Sequence, residues 1–99
     1  MACLPLWGVA QKITPLKKAV IQSVEQHKES LIKLSDSVWA LAETAFEENK
    51  SSKILADYAE KQGFTVERGV AGMPTAFVAS YGSGKPVISV LGEFDALPG

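Results

Sequence analysis

Two acidic residues, Glu93 and Asp95, have the type and spacing that most invite chemistry. They fall in the run Gly92-Glu93-Phe94-Asp95-Ala96-Leu97-Pro98-Gly99. Residues two apart in an extended strand share a face, so both carboxylates project together while Phe94 points into a core. They directly follow the apolar run Pro86–Leu91. Carboxylates at the carboxyl end of a buried strand lie where α/β domains hold their ligands. Gly92, with no side chain, lets another group approach the backbone. The competing reading is structural: acidic residues close many strands simply because the strand reaches water there.

Other chemistry-bearing residues are few. One cysteine, Cys3, excludes an internal disulfide framework and any zinc site built from several cysteines. With His27 the only histidine, a complete Cys/His metal site cannot be assembled within these 99 residues. His27 lies in an apolar helical stripe between Gln26 and Lys28, and reads as a partly buried ring at the stripe's edge. Gly82-Ser83-Gly84-Lys85 faintly resembles a phosphate loop. Pro86, however, stands where a Ser or Thr should hold magnesium, and Ala79 where the first glycine belongs. The segment also joins two expected strands, so no helix N-terminus would face a phosphate. It reads as a hairpin turn. Glu47-Glu48 could be taken as a catalytic pair, but a helix start explains them, since the dipole favours anions there.

The elements that must position these residues follow from periodicity. Thr14-Pro15 reads as N-cap and N1 of a helix. Leu16, Val20, Val24, His27, Leu31, Leu34, Val38 and Leu41 then recur every three or four residues, giving an amphipathic helix to about Leu41. A second helix is expected from Glu47 to Gln62, with Ile54, Leu55, Tyr58 and Ala59 on its apolar face. Phe46 would staple its start and Gly63 would end it. The period then shortens. Phe64–Val70 and Ala76–Tyr81 read as strands, and Pro86–Leu91 as a third, buried on both faces in the middle of a sheet. The order α-α-β-β-β predicts a layered α/β domain.

Composition bounds the partners. The chain is 46% apolar and 21% charged, the balance of a soluble globular protein. Ten Lys+Arg against eleven Asp+Glu leave a net charge of -1, without the basic footprint of a nucleic-acid or anionic-membrane binder. The apolar opening, MACLPLWGVA, falls short of the ~20 residues needed to span a bilayer, and it lacks the basic stretch of a secretory leader. Residues 1–14 are therefore expected to be a flexible N-terminus. A single free cysteine suits the cytoplasm; a clipped leader would instead place the protein in the periplasm. Ending just after an apolar strand, the chain reads as a fragment.

The run from Pro74 to Gly99, ending in Gly92-Glu93-Phe94-Asp95-Ala96-Leu97-Pro98-Gly99, resembles the N-terminal part of the dinuclear-metal amidohydrolases of the aminoacylase and acetylornithine-deacetylase clan. Within that clan it is most similar to the branch typified by the B-type subunit of p-aminobenzoyl-glutamate hydrolase. Trp39 through Phe46-Glu47-Glu48 looks like the same branch's stretch of Trp, a His-Pro-Glu-Thr-like step, then Phe-Glu-Glu. Here Leu41-Ala42 replaces the His-Pro and only Glu43-Thr44 is kept, which removes the proline that would end the first helix. The resemblance covers roughly residues 16 to 99.

The resemblance implies that residues 15–99 are the truncated, N-terminal part of a three-layer metallopeptidase-like catalytic domain, with two helices leading into a mixed sheet. It implies two divalent metals, zinc or manganese, that activate a water to attack an amide carbonyl, with a glutamate as general base. The substrate would be a small-molecule amide, and the parent protein a homodimer. In the wider clan a metal-binding histidine holds the position of Glu93 and a supporting aspartate that of Asp95. In this branch the histidine is replaced, and metal binding falls to a Cys-Gly-His segment that would lie beyond Gly99. Asp95 is then expected to orient a metal-bound histidine or water, with Glu93 the weaker candidate and no metal ligand within the chain. The rival expectation is a non-catalytic module that binds a partner by strand addition through Val87–Leu91. The nucleotide sequence after Gly99 separates them: an open frame favours the enzyme, a stop codon the module.

Overall fold

In the computed structural model, which describes residues 12–99, helix α1 spans Pro15–Leu41. The readings given to the apolar first ten residues lie outside the described residues. Thr14 is extended and its Oγ1 accepts the Lys17 amide at 3.3 Å. Pro15 fills N1, where a missing N–H costs nothing. Without a proline at position 42, α1 runs through Leu41 and stops at Ala42, which takes left-handed backbone with φ 47°. The Ala42 amide folds back onto the Trp39 carbonyl at 3.3 Å. The apolar stripe of α1 is covered only in part: Leu34 and Val38 are half-buried, while Leu16, Val20 and Val24 stay exposed.

Helix α2 spans Asn49–Lys61, starting two residues later than the expected Glu47. The delay has a backbone cause. Phe46 sits at φ 67°, so the chain turns sharply there and Glu47 and Glu48 fall outside the first helical turn. Phe46 is exposed, and the expected staple is not made. The other end behaves as its glycine demands. Gly63 adopts φ 91°, its amide reaches the Glu60 carbonyl at 2.9 Å, and the Phe64 amide reaches Ala59 at 3.1 Å. These are the paired bonds of a Schellman motif.

Strand β1 (Thr65–Arg68) pairs antiparallel with β2 (Phe77–Ser80), Thr65 opposite Ser80 and Arg68 opposite Phe77. A 3-10 turn at Val70–Gly72 lies between them. α2 contacts α1 and both strands, and Ala56 in its middle is the one fully buried apolar residue among those described. Arg68 ties β1 to α2 through Asp57 at 2.9 Å and Glu60 at 3.1 Å.

The α/β class holds, but the third strand does not form. Pro86–Leu91 joins no ladder; Val87 is 84% and Leu91 93% exposed. A strand exists through its hydrogen-bonded neighbours, and among the described residues none lies beside this run. The mixed sheet is thus an antiparallel pair plus one isolated parallel bridge, Thr44 with Ala96. Gly82 and Gly84 both take positive φ and no helix follows them, so no phosphate-loop geometry is present. The chain only bends at 84–86, and without a third strand the expected hairpin turn does not form.

Candidate functional site

The isolated bridge brings the two motif-bearing stretches together. The Ala96 amide donates to the Glu43 carbonyl at 2.7 Å, and Thr44 pairs with Ala96. The loop holding Glu93 and Asp95 is thereby laid along the connection between α1 and α2. Phe94 is half-buried, its ring centre 6.1 Å from that of Phe77, while Glu93 and Asp95 are exposed. The in-out alternation expected of a strand survives even though the ladder is absent. Glu93 and Asp95 line one side of an open pocket of ≈ 370 Å³ that Phe46, Glu48, Met73 and Thr75 also line.

The α2 side of this pocket is held by two further carboxylates. Glu43 Oε1 accepts the Lys50 amide at 3.1 Å and Oε2 the Ser51 amide at 2.8 Å. These amides belong to the first turn of α2, where the helix itself offers no acceptor and an anion meets the positive dipole end. The Ser51 amide is the chief cause holding Glu43 below the usual carboxylate range, and the Lys50 amide and charge add to it. Glu48 occupies the N-cap position without making a side-chain cap bond, and is only 8% exposed. Its own backbone N–H, then the Thr75 hydroxyl and the Phe46 amide, hold its carboxyl low against burial and the charge of Glu43. Glu48 Oε2 has no hydrogen-bond partner among the described residues. Ser51, Ser52 and Thr75 are buried with it, so the most enclosed part of the described chain is polar.

Glu48 thus stands at the start of α2 as expected, its carbonyl accepting the Ser52 amide at 2.8 Å. Neither Glu47 nor Glu48 lies in the first turn, however, and the side chain that caps the first-turn amides is Glu43. Local capping rules look two or three residues ahead, whereas Glu43 acts from seven and eight residues upstream. The only hint in the sequence is that Glu43-Thr44 survives although Leu41-Ala42 replaces the His-Pro just before it. His27 lines a separate crevice between α1 and α2, beside Tyr58 and Phe64. Its Nδ1–H donates to the Ser23 carbonyl at 2.7 Å, and the ring is half-buried as expected of the stripe's edge.

No three His, Cys, Asp or Glu side chains among the described residues are grouped so as to hold a metal ion. The carboxylates present thus do not by themselves fit the two metals that the resemblance implies. No helix among the described residues is long and apolar enough to cross a membrane.

No protein-family profile matches the chain, and no solved structure matches it. A curated relative does: the B-type subunit of p-aminobenzoyl-glutamate hydrolase from Escherichia coli (strain K12) is 47% identical over 77 residues, which is 78% of this chain. The match spans 16% of that protein's length, so this chain corresponds to a small part of it. The relative's name marks it as a subunit of a hydrolase. Over the matched span, this chain is a relative of that p-aminobenzoyl-glutamate hydrolase subunit, the branch that Phe46-Glu47-Glu48 and the Gly92–Gly99 run resemble.

Proposed function

We propose that this stretch is part of the catalytic domain of a metal-dependent amidohydrolase that cleaves the amide bond of an N-acyl amino acid, an aroyl-glutamate or a small peptide. One observation supports this above others: the parallel bridge draws the Gly92–Gly99 run against Glu43-Thr44, so both motif stretches meet at one pocket. Asp95 is the residue to which we assign a direct part. Its carboxylate orients a ligand side chain supplied by other regions of a full-length protein, and Glu93 is the weaker candidate for that role. The metals, zinc or manganese, and a paired-copy assembly belong to the same reading.

The test has two arms. A full-length protein carrying this stretch should hydrolyse p-aminobenzoyl-glutamate or an N-acyl amino acid with zinc or manganese; failure with both metals on both substrates sinks the reading. In that protein Asp95→Asn should lower the rate about 10–100-fold, the scale for losing a partner that orients a ligand. An unchanged rate removes Asp95 from the site. The 99-residue chain alone should show no turnover, because the described residues do not complete a metal site.

A second reading rests on the bare Val87–Leu91 run, which offers an edge to a partner's sheet by strand addition. It calls for a complex that forms without any hydrolytic function and is lost when Val90 is replaced by proline, which removes a ladder amide.

A further inference from the structure

We infer that Glu43 is the positioning residue of this site, tying the start of α2 to the loop that carries Glu93 and Asp95. Its side chain supplies one half of the tie and its backbone the other. The carboxylate holds the amides of Lys50 and Ser51, at 3.1 and 2.8 Å. The carbonyl of the same residue accepts the Ala96 amide at 2.7 Å. Ala42 just before it sits in left-handed backbone, so Glu43 follows directly on the turn out of α1.

Both sets of bonds end on one residue, and that coincidence makes the tie. A carboxylate held at both oxygens fixes its own side-chain torsions, and through them the peptide that presents the carbonyl to Ala96. The pocket has Glu48 on its α2 side and Glu93 and Asp95 on its loop side. Glu43 lines neither side, yet it bonds to the element behind each. A residue that only capped α2 would have no bond to the loop, and one that only received the loop would have none to α2. Aspartate is one methylene too short to span the same gap. Glutamine keeps the length but turns an acceptor into a donor facing an amide N–H.

What the tie is for rests on the amidohydrolase reading, in which Asp95 must be held in place. The test reads the tie itself and needs no turnover, so the two can fail separately. Amide hydrogen exchange by NMR on the 99-residue chain follows Lys50, Ser51 and Ala96. The Gly69 amide, bonded to the Ala76 carbonyl at 2.7 Å, and the Phe64 amide serve as remote reporters. Glu43→Ala should speed exchange at Ala96 about 10-fold, the scale of one lost hydrogen bond, while Gly69 and Phe64 stay protected. Glu43→Gln should restore part of the Ala96 protection and lose one of the two α2 amides. Unchanged protection at Ala96 in Glu43→Ala overturns the inference. So does an equal loss at Ala96, Gly69 and Phe64, which would mark a general loss of stability. If Glu43→Ala does not fold, Glu43→Gln decides alone: faster exchange confined to Ala96 and the first turn of α2 supports the tie, and an unaltered Ala96 overturns it.

Discussion

At the start of α2, Glu48, Ser51, Ser52 and Thr75 are buried, whereas Val87, Ile88, Val90 and Leu91 are bare. Hydrophobicity alone would assign these regions the opposite environments. The difference is one of partners within reach. The polar cluster is closed by groups within the described residues: Glu43 caps the first-turn amides of α2 from a few residues upstream, and Thr75 arrives on the turn before β2. The apolar run needs a sheet on either side and a layer on each face, and the described residues supply neither. Among the described residues, apolar character alone therefore does not decide burial: the enclosed cluster is polar, and Glu48 Oε2 and Ser51 Oγ within it have no hydrogen-bond partner.

The contrast should fail first at Ala56, the fully buried apolar residue in the middle of α2, the element that contacts α1 and both strands. Ala56→Glu should cost about 3 kcal/mol, the scale of burying an unpaired polar group, and urea unfolding would read it. A loss below about 1 kcal/mol would mean that α2 is not the packed centre. Next comes Gly63→Ala, expected to cost about 1–2 kcal/mol because an L-residue resists left-handed backbone. The added Cβ would meet Tyr81 Cε2 at 3.8 Å, an ordinary contact, so the loss isolates the backbone strain at φ +91°.

The carboxylates on and beside α2 should respond to pH with a definite sign. Glu43, Glu48 and Asp57 are all held below their ordinary values, Asp57 chiefly by the Lys53 ammonium, with Arg68 adding. Groups lowered in the folded state contribute stability that is complete above the unfolded carboxylate range, about pH 4–4.5. That contribution drains away as the pH falls through their lowered folded values. Urea midpoints followed by circular dichroism should therefore drop between pH 6 and pH 3. The triple change Glu43→Gln, Glu48→Gln, Asp57→Asn should flatten the drop. A wild-type midpoint that does not move with pH would remove electrostatics from the account of this region.

The smallest expected effect is at the bare run. Val87→Thr with Val90→Thr keeps shape and changes polarity, and should shift stability by no more than about 0.5 kcal/mol in the 99-residue chain. Its visible consequence should be slower aggregation in light scattering, since an exposed apolar run is a template for edge pairing. A loss above about 1 kcal/mol, still on the order of a single contact, would show that something covers the run.

Much of this architecture is legible in the sequence, and the misses share a cause. Thr14-Pro15, the three-four spacing to Leu41, and Gly63 are signals whose partners lie within a few residues, and each element appears where they put it. The alternation of Glu93, Phe94 and Asp95 is likewise local, and it holds. Pro86–Leu91 carries the composition of a central strand, but composition cannot supply the neighbours that make a ladder. Phe46 reads as a staple because it precedes a helix; its left-handed backbone and its exposure reverse that. Glu43 is legible only as a surviving piece of a motif. Its two amide partners and its bond to Ala96 span distances that no capping rule scans.

The Thr44–Ala96 bridge has a kinetic consequence. It joins points about 50 residues apart, and closing a loop of that length costs entropy that no short-range contact offsets beforehand. The helices and the β1–β2 hairpin rest on near contacts and can form first. Docking of the loop that holds Glu93 and Asp95 is then expected late in folding, and its undocking early in unfolding. On that expectation the pocket is completed onto helices and a hairpin already in place.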